Sequence, residues 1–173
     1  MSATVVRIEG EIVENHQALK NLTIFLKKQL FPHILVVTAL HELARAIAKE
    51  LAKVHEPDYS QALLTEFLES LGNLAGDGPV KEEFRKGAER LAGLLKGIHL
   101  TGDSSEALRD QVFSCGELLT AHLVIGKLRQ HGTAASLLTP EQLGLQVTAD
   151  YGNATITGLE RSGLLREERA GVI

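Results

Sequence analysis

One stretch of this sequence combines residue types that a helix seldom holds together without a reason: Arg109-Asp110-Gln111-Val112-Phe113-Ser114-Cys115-Gly116-Glu117. Apolar residues recur at Leu108, Val112, Cys115, Leu119, Leu123 and Leu128, the three-and-four spacing of a helix packed into a core. Inside that pattern Gly116 costs roughly 1 kcal/mol against alanine. By that spacing Glu117 falls in an apolar setting, where a carboxylate needs a partner. Two readings stay open. In one, Gly116 marks a close helix crossing and Glu117 is bonded to a neighbour. In the other, the Ser-x-Gly-Glu cluster has a functional role that offsets its cost.

The remaining reactive side chains form no comparable group. His16, His33, His41, His55, His99, His122 and His131 are scattered, with no pair at metal spacing beside a carboxylate. Cys115 is the single cysteine, so no intramolecular disulfide can form. Its place on an apolar helical face makes it a small core residue rather than a nucleophile. Gly-x-Ser-x-Gly, P-loop and dinucleotide fingerprints are all missing. Thr38-Ala39 closes a strand-like run, and the carboxyl ends of strands are where α/β sheets bind ligands. An ordinary strand end is the competing interpretation.

The elements that must position these residues read as follows. Thr4 to Ile8 is a short β-branched strand ending at Glu9-Gly10. Asn15 caps a helix running to about Leu30, stopped by Pro32. His33 to Ala39 is nearly all apolar, as expected of a parallel strand covered on both faces. Three helices come next. One carries Leu40, Leu43, Ile47, Leu51 and Val54. The second is capped by Asp58 with Leu63, Leu64, Phe67, Leu68 and Leu71 inward. The third opens at Pro79 and closes at Gly102. Asp103 to Glu106 reads as a capping box for the central helix, which His131-Gly132 ends. Thr133 to Leu138 is expected as a strand. Leu143–Thr148 and Ala154–Thr157 form two more strands around the Asp150-Tyr151-Gly152-Asn153 turn. The fold class is α/β, a helix-rich three-layer sandwich with a small, mainly parallel sheet. Residues 1–158 make one lobe and 159–173 a polar C-terminal tail.

Composition narrows the function classes. The 173 residues are 44% hydrophobic and 23% charged, ordinary for a globular domain. A net charge of −4, no basic block and 4% aromatics argue against nucleic acid as a partner. Met1-Ser2-Ala3-Thr4 has no signal pattern, and no apolar run approaches the roughly 18 residues of a membrane span. A cytoplasmic protein without membrane association is the expectation.

The order of segments resembles aspartokinase, of the amino acid kinase superfamily. The resemblance rests on Val36-Val37-Thr38-Ala39, on Arg109-Asp110-x-Val112-x-Ser114-x-Gly116-Glu117, on Gly132, and on Val147-Thr148-Ala149-Asp150-Tyr151-Gly152-Asn153-Ala154. It implies the N-terminal, amino-acid-binding lobe of that fold. It also implies transfer of the ATP γ-phosphoryl group to the side-chain carboxylate of aspartate. On this basis Ser114, Glu117 and Thr38 line an amino-acid pocket, with Glu117 meeting the substrate ammonium.

The departures from the family are chemical. Aspartokinases begin with Lys-Phe-Gly-Gly-Thr-Ser, whose lysine and glycine-rich turn serve the phosphates. Here Arg7-Ile8-Glu9-Gly10-Glu11-Ile12 stands instead, so Arg7 and Gly10 are a degenerate phosphate-binding pair. A carboxylate about 4 Å from a phosphate oxygen costs roughly 4 kcal/mol at an effective dielectric of 20. That exceeds what one or two hydrogen bonds return. The family's nucleotide lobe is expected about where Ile173 falls, so ATP and magnesium belong only to a complex completed by a second lobe, and the chain alone has no cofactor. The expected function is a non-catalytic module that binds aspartate or a related amino acid, or an interaction module. The alternatives are a subunit of an aspartate kinase needing a second chain, and a structural protein without ligand. An open sheet edge predicts a homodimer or a partner chain.

Overall fold

The computed structural model describes residues 4–28 and 33–159. Strand β1 (Thr4–Ile8) leads through a 3-10 turn (Gly10–Val13) into helix α1 (His16–Lys28), and β2 (His33–Val37) returns beside β1. The two strands are parallel, with Thr4 opposite His33 and Ile8 opposite Val37. A helix between parallel strands is the βαβ unit anticipated from the sequence. Asn15 caps α1 as expected, its Oδ1 accepting the Ala18 N–H at 2.9 Å. Pro32, the expected stop, lies outside the described residues.

Helices α2 (His41–Lys53), α3 (Ala62–Gly72), α4 (Pro79–Thr101) and α5 (Glu106–Gln130) follow, then strands β3 (Leu145–Val147) and β4 (Ile156–Leu159). Pro79 sits in the first turn of α4, and Gly102 closes that helix in the left-handed conformation at φ 69°. Strands β3 and β4 form an antiparallel hairpin, as the turn residues between them indicate. The molecule is therefore a helix-rich α/β fold with a small parallel sheet.

Helix α5 is the axis of the core. Val112, Leu119 and Leu123 are completely buried, and every residue from His122 to Gly126 is buried. A helix buried on most of its circumference must be apolar nearly all round there. Leu43 and Ile47 of α2, Leu91 and Leu95 of α4, and Leu19 of α1 close around it in one continuous cluster.

Four local expectations are corrected. Asp58 does not cap α3, which begins at Ala62 after Gln61. The segment is held elsewhere: the Tyr59 ring packs on His99 at 5.3 Å, and Gln61 Nε2 donates to Ala92 O at 3.0 Å. With that start Leu63 turns outward and is 71% exposed, while Leu64, Leu68 and Leu71 face in. Asp103 does not form a capping box with Glu106; its Oδ1 accepts the Ser105 N–H at 2.9 Å, and Ser105 becomes the N-cap. Thr133 to Leu138 is not a strand. The Ala135 carbonyl, which a strand neighbour would need, instead accepts two bonds from the Arg129 guanidinium at 2.7 and 3.0 Å. Leu159, placed at the start of the tail, ends β4.

Candidate functional site

The carboxyl ends of β1 and β2, the start of α2 and the middle of α5 meet at one place, and Gly10 lets them. A side-chain carbon on Gly10 would sit 2.5 Å from Leu40 N and 2.8 Å from Thr120 Cγ2, so only glycine fits without displacing backbone. The Leu40 N–H donates to Thr120 Oγ1 at 2.9 Å, and the Thr120 hydroxyl donates to Gly116 O at 2.8 Å. Thr120 is completely buried. It thus supplies an acceptor to an N–H at the start of α2 that the helix itself cannot satisfy.

The next N–H of the same helix end is satisfied by a charge. Glu11 Oε1 accepts the His41 N–H at 2.8 Å. Backbone N–H groups, its own and that of His41, hold the Glu11 carboxyl below the usual carboxylate range. A helix N-terminus favours an anion through its free N–H groups and its dipole. In this molecule the anion there belongs to the chain itself.

Thr38 lies at this junction, half-buried, its N–H donating to Ile8 O at 3.1 Å. Ser114 and Glu117 stand on α5 one turn apart and both exposed, whereas Thr120, the next turn on from Glu117, is buried. Ser114 is exposed and its Oγ donates to Gln111 O at 2.9 Å. Glu117 is exposed too, and among the described residues it joins no ion pair. This corrects the reading of Glu117 as a carboxylate in an apolar setting. The three-and-four pattern places Val112, Cys115, Gly116 and Leu119 inward, and Glu117 falls off that stripe.

Gly116 is the close crossing that its cost suggested: a side-chain carbon there would lie 2.8 Å from Ile47 Cδ1 of α2. Arg7 does not join the group. It is exposed on the sheet face opposite that of buried Ile8, beside Val5 and paired in register with Val36. Gly10 is thus brought to Thr120 and Thr38 to Ile8 at the end of β1, while Ser114 and Glu117 lie on the exposed side of α5 and Arg7 is directed away.

Three residues with a part in the site were missed in the sequence. Thr120 is hidden among apolar neighbours, although a hydroxyl four residues after Gly116 on the buried side was a legible signal. Glu11 reads in the sequence as an unfavourable charge near a phosphate, and its role as acceptor at α2 depends on a residue thirty positions away. Asp110, inside the signature, accepts the Gly152 N–H at 2.7 Å and so ties the β3–β4 loop to α5.

Cys115 is buried and its thiol is pushed up by that burial, the state of a core residue and not of a nucleophile. Among the described residues no group of three or more His, Cys, Asp or Glu is placed to hold a metal ion. No helix among them is long and apolar enough to cross a membrane.

No family model matches the sequence, and no curated protein does. Solved structures do match. E. coli aspartokinase III in complex with aspartate and ADP superposes with a TM-score of 0.68 at 19% identity, over 98% of this chain. The same enzyme in complex with lysine and aspartate gives 0.67 at 18% identity, over 97%. This chain spans 37% of the length of each. The likeness shows an aspartokinase-like fold over a partial length.

Proposed function

We propose that this chain is an amino-acid-binding module on an aspartokinase-like fold and does not transfer phosphoryl groups by itself. The observation that carries the reading is Glu11 at the N-terminus of α2, accepting the His41 N–H. Phosphoryl transfer depends on positioning and on positive charge around the phosphates. A carboxylate seated on the helix N-terminus repels them, and Arg7, the nearest equivalent of a phosphate-binding lysine, points to the other face of the sheet.

The amino-acid side of the site is retained in chemistry. An exposed carboxylate at Glu117, without an ion-pair partner among the described residues, can receive an ammonium group by charge-assisted hydrogen bonds. Ser114 Oγ, already donating to Gln111 O, keeps acceptor capacity for the same group. Aspartate is the ligand tried first, because both E. coli aspartokinase III complexes contain it. Calorimetry with aspartate, and then with other amino acids, tests the reading. Wild type is expected to bind and Glu117→Ala to bind at least about tenfold more weakly, a loss of 1.4 kcal/mol or more. No binding by either protein removes the ligand role. With ATP and magnesium added, the chain alone is expected to yield no acyl phosphate.

A second reading has its own observation. Val5 and Val36 are 63% and 49% exposed on one face of a parallel sheet, a type normally covered on both faces. This favours a subunit that a nucleotide-binding lobe covers, supplying ATP and magnesium sites. Hydroxylamine trapping of acyl phosphate with such a lobe present would show turnover, and its absence would count against this reading.

A further inference from the structure

Helices α3 and α4 leave between them a groove that shares no residue with the candidate site. It encloses 750 Å³, within the range of roughly 300–1,000 Å³ usual for small-molecule sites. Its floor is apolar, formed by buried Leu68 and Phe84. Ala88 and Ala92, one turn apart on α4, have side chains too small to close the space. Five charged side chains also line it, and their pairing leaves one of each sign. Arg85 donates to both carboxylate oxygens of Glu82, at 2.6 and 3.0 Å, and also to Glu89, so these three satisfy one another. Among the described residues Glu69 and Lys81 join no ion pair, and the Lys81 ammonium donates to the neutral Asn73 Oδ1 at 3.2 Å. Asn73 follows Glu69 by four residues in helical conformation, so the Glu69 carboxylate and the Lys81 ammonium stand at the same end of the groove.

We propose that this groove binds an α-amino acid with a large apolar side chain, at a site separate from that of Glu117. The ligand's ammonium meets Glu69, its carboxylate meets Lys81, and its side chain lies over Leu68 and Phe84. The two head groups of an α-amino acid are carried by one carbon. They call for a carboxylate and an ammonium that lie near each other without forming a pair of their own, and Glu69 and Lys81 meet that condition. The bond to Asn73 holds Lys81 at this end of the groove and leaves two of its three donors for a carboxylate. Charge complementarity selects the class. An amine alone leaves Lys81 unmatched, and a carboxylic acid alone leaves Glu69 unmatched. An acidic amino acid would set its second carboxylate against the apolar floor, beside Glu82 and Glu89.

Calorimetric titration of the full chain with L-phenylalanine tests the proposal, with phenethylamine and 3-phenylpropanoate as probes that each lack one head group. Wild type is expected to bind L-phenylalanine at least about tenfold more tightly than either probe. Lys81→Ala should bring L-phenylalanine and phenethylamine to within about threefold of each other, and Glu69→Gln should do the same for L-phenylalanine and 3-phenylpropanoate. Both positions are exposed, and far-UV circular dichroism confirms that each variant stays folded. Neither residue belongs to the candidate site, so aspartate titrations of the same variants are expected to match wild type, and the two sites are judged separately. No saturable binding of L-phenylalanine up to about 10 mM, a probe that binds wild type as tightly as L-phenylalanine, or binding indifferent to both substitutions overturns the proposal.

Discussion

Thr120 shows how much one hydroxyl can hold. It accepts from Leu40 N and donates to Gly116 O, so removing it leaves a buried N–H without a partner at the start of α2. Thr120→Val keeps the shape and deletes both bonds. The expected loss is about 1–3 kcal/mol, the range for an orphaned buried donor, read from urea denaturation. A variant as stable as wild type would remove Thr120 from its bridging role. His122 makes a second prediction, about pH. Burial pushes its imidazole below the ordinary range, with the Glu83 charge opposing that more weakly. The unfolded chain therefore takes up this proton near pH 6.5 while the folded chain does not, and stability falls as pH drops below about 6.5. His122→Leu should flatten that part of the stability–pH curve, and an unchanged slope would assign it to other groups. The chemistry of both residues could be read from the sequence. Their burial could not, because helical spacing identifies a face but not how far neighbours close over it.

At the scale of elements, the two signature segments turn out to be one structural unit. Asp110 of α5 and Gly152 of the β3–β4 loop, forty-two residues apart, are joined by a 2.7 Å bond. The hairpin is short, and two-stranded hairpins are marginal without support. Asp110→Ala is expected to raise amide hydrogen exchange across 145–159 while leaving α5 protected; unchanged exchange would show that the hairpin is held elsewhere. Asn15 offers a simpler case. Its side chain caps α1, and Asn15→Ala should cost about 1 kcal/mol in a thermal or chemical melt. Elements with a local cause were legible: the Asn15 cap, the Pro79 start, the Gly102 stop and the Asp150–Asn153 turn. Those decided by distant contacts were not. The start of α3 follows Tyr59 and Gln61 to α4, and the expected strand over Thr133–Leu138 gave way to Arg129.

On the scale of the whole molecule, the βαβ unit and the helices share one core, since Ile8 and Leu19 belong to the same buried cluster as Leu95 and Leu123. Unfolding is then expected to be a single cooperative transition. Tyr59, part of that packing, and the helices should report it together: the midpoint by tyrosine fluorescence should match that by far-UV circular dichroism. Separate midpoints would show two independent units within 4–159.

The sequence by itself determined the fold class, the parallel βαβ start and the helix stops, because these rest on periodicity, caps and turns set by neighbouring residues. Only the tertiary structure decided the state of the site. Periodicity suggested a buried Glu117, yet the side chain lies on the open side of α5. Gly116, where a side-chain carbon would lie 2.8 Å from Ile47 Cδ1 although the two are nearly seventy residues apart in the chain, proved to be a helix crossing. Glu11, written off in one dimension as a repulsive charge, became the acceptor that occupies the α2 N-terminus. The physical reason is the same in each case: burial, close approach and hydrogen bonding to a helix end are relations between distant segments, and they exist only once the chain has closed on itself.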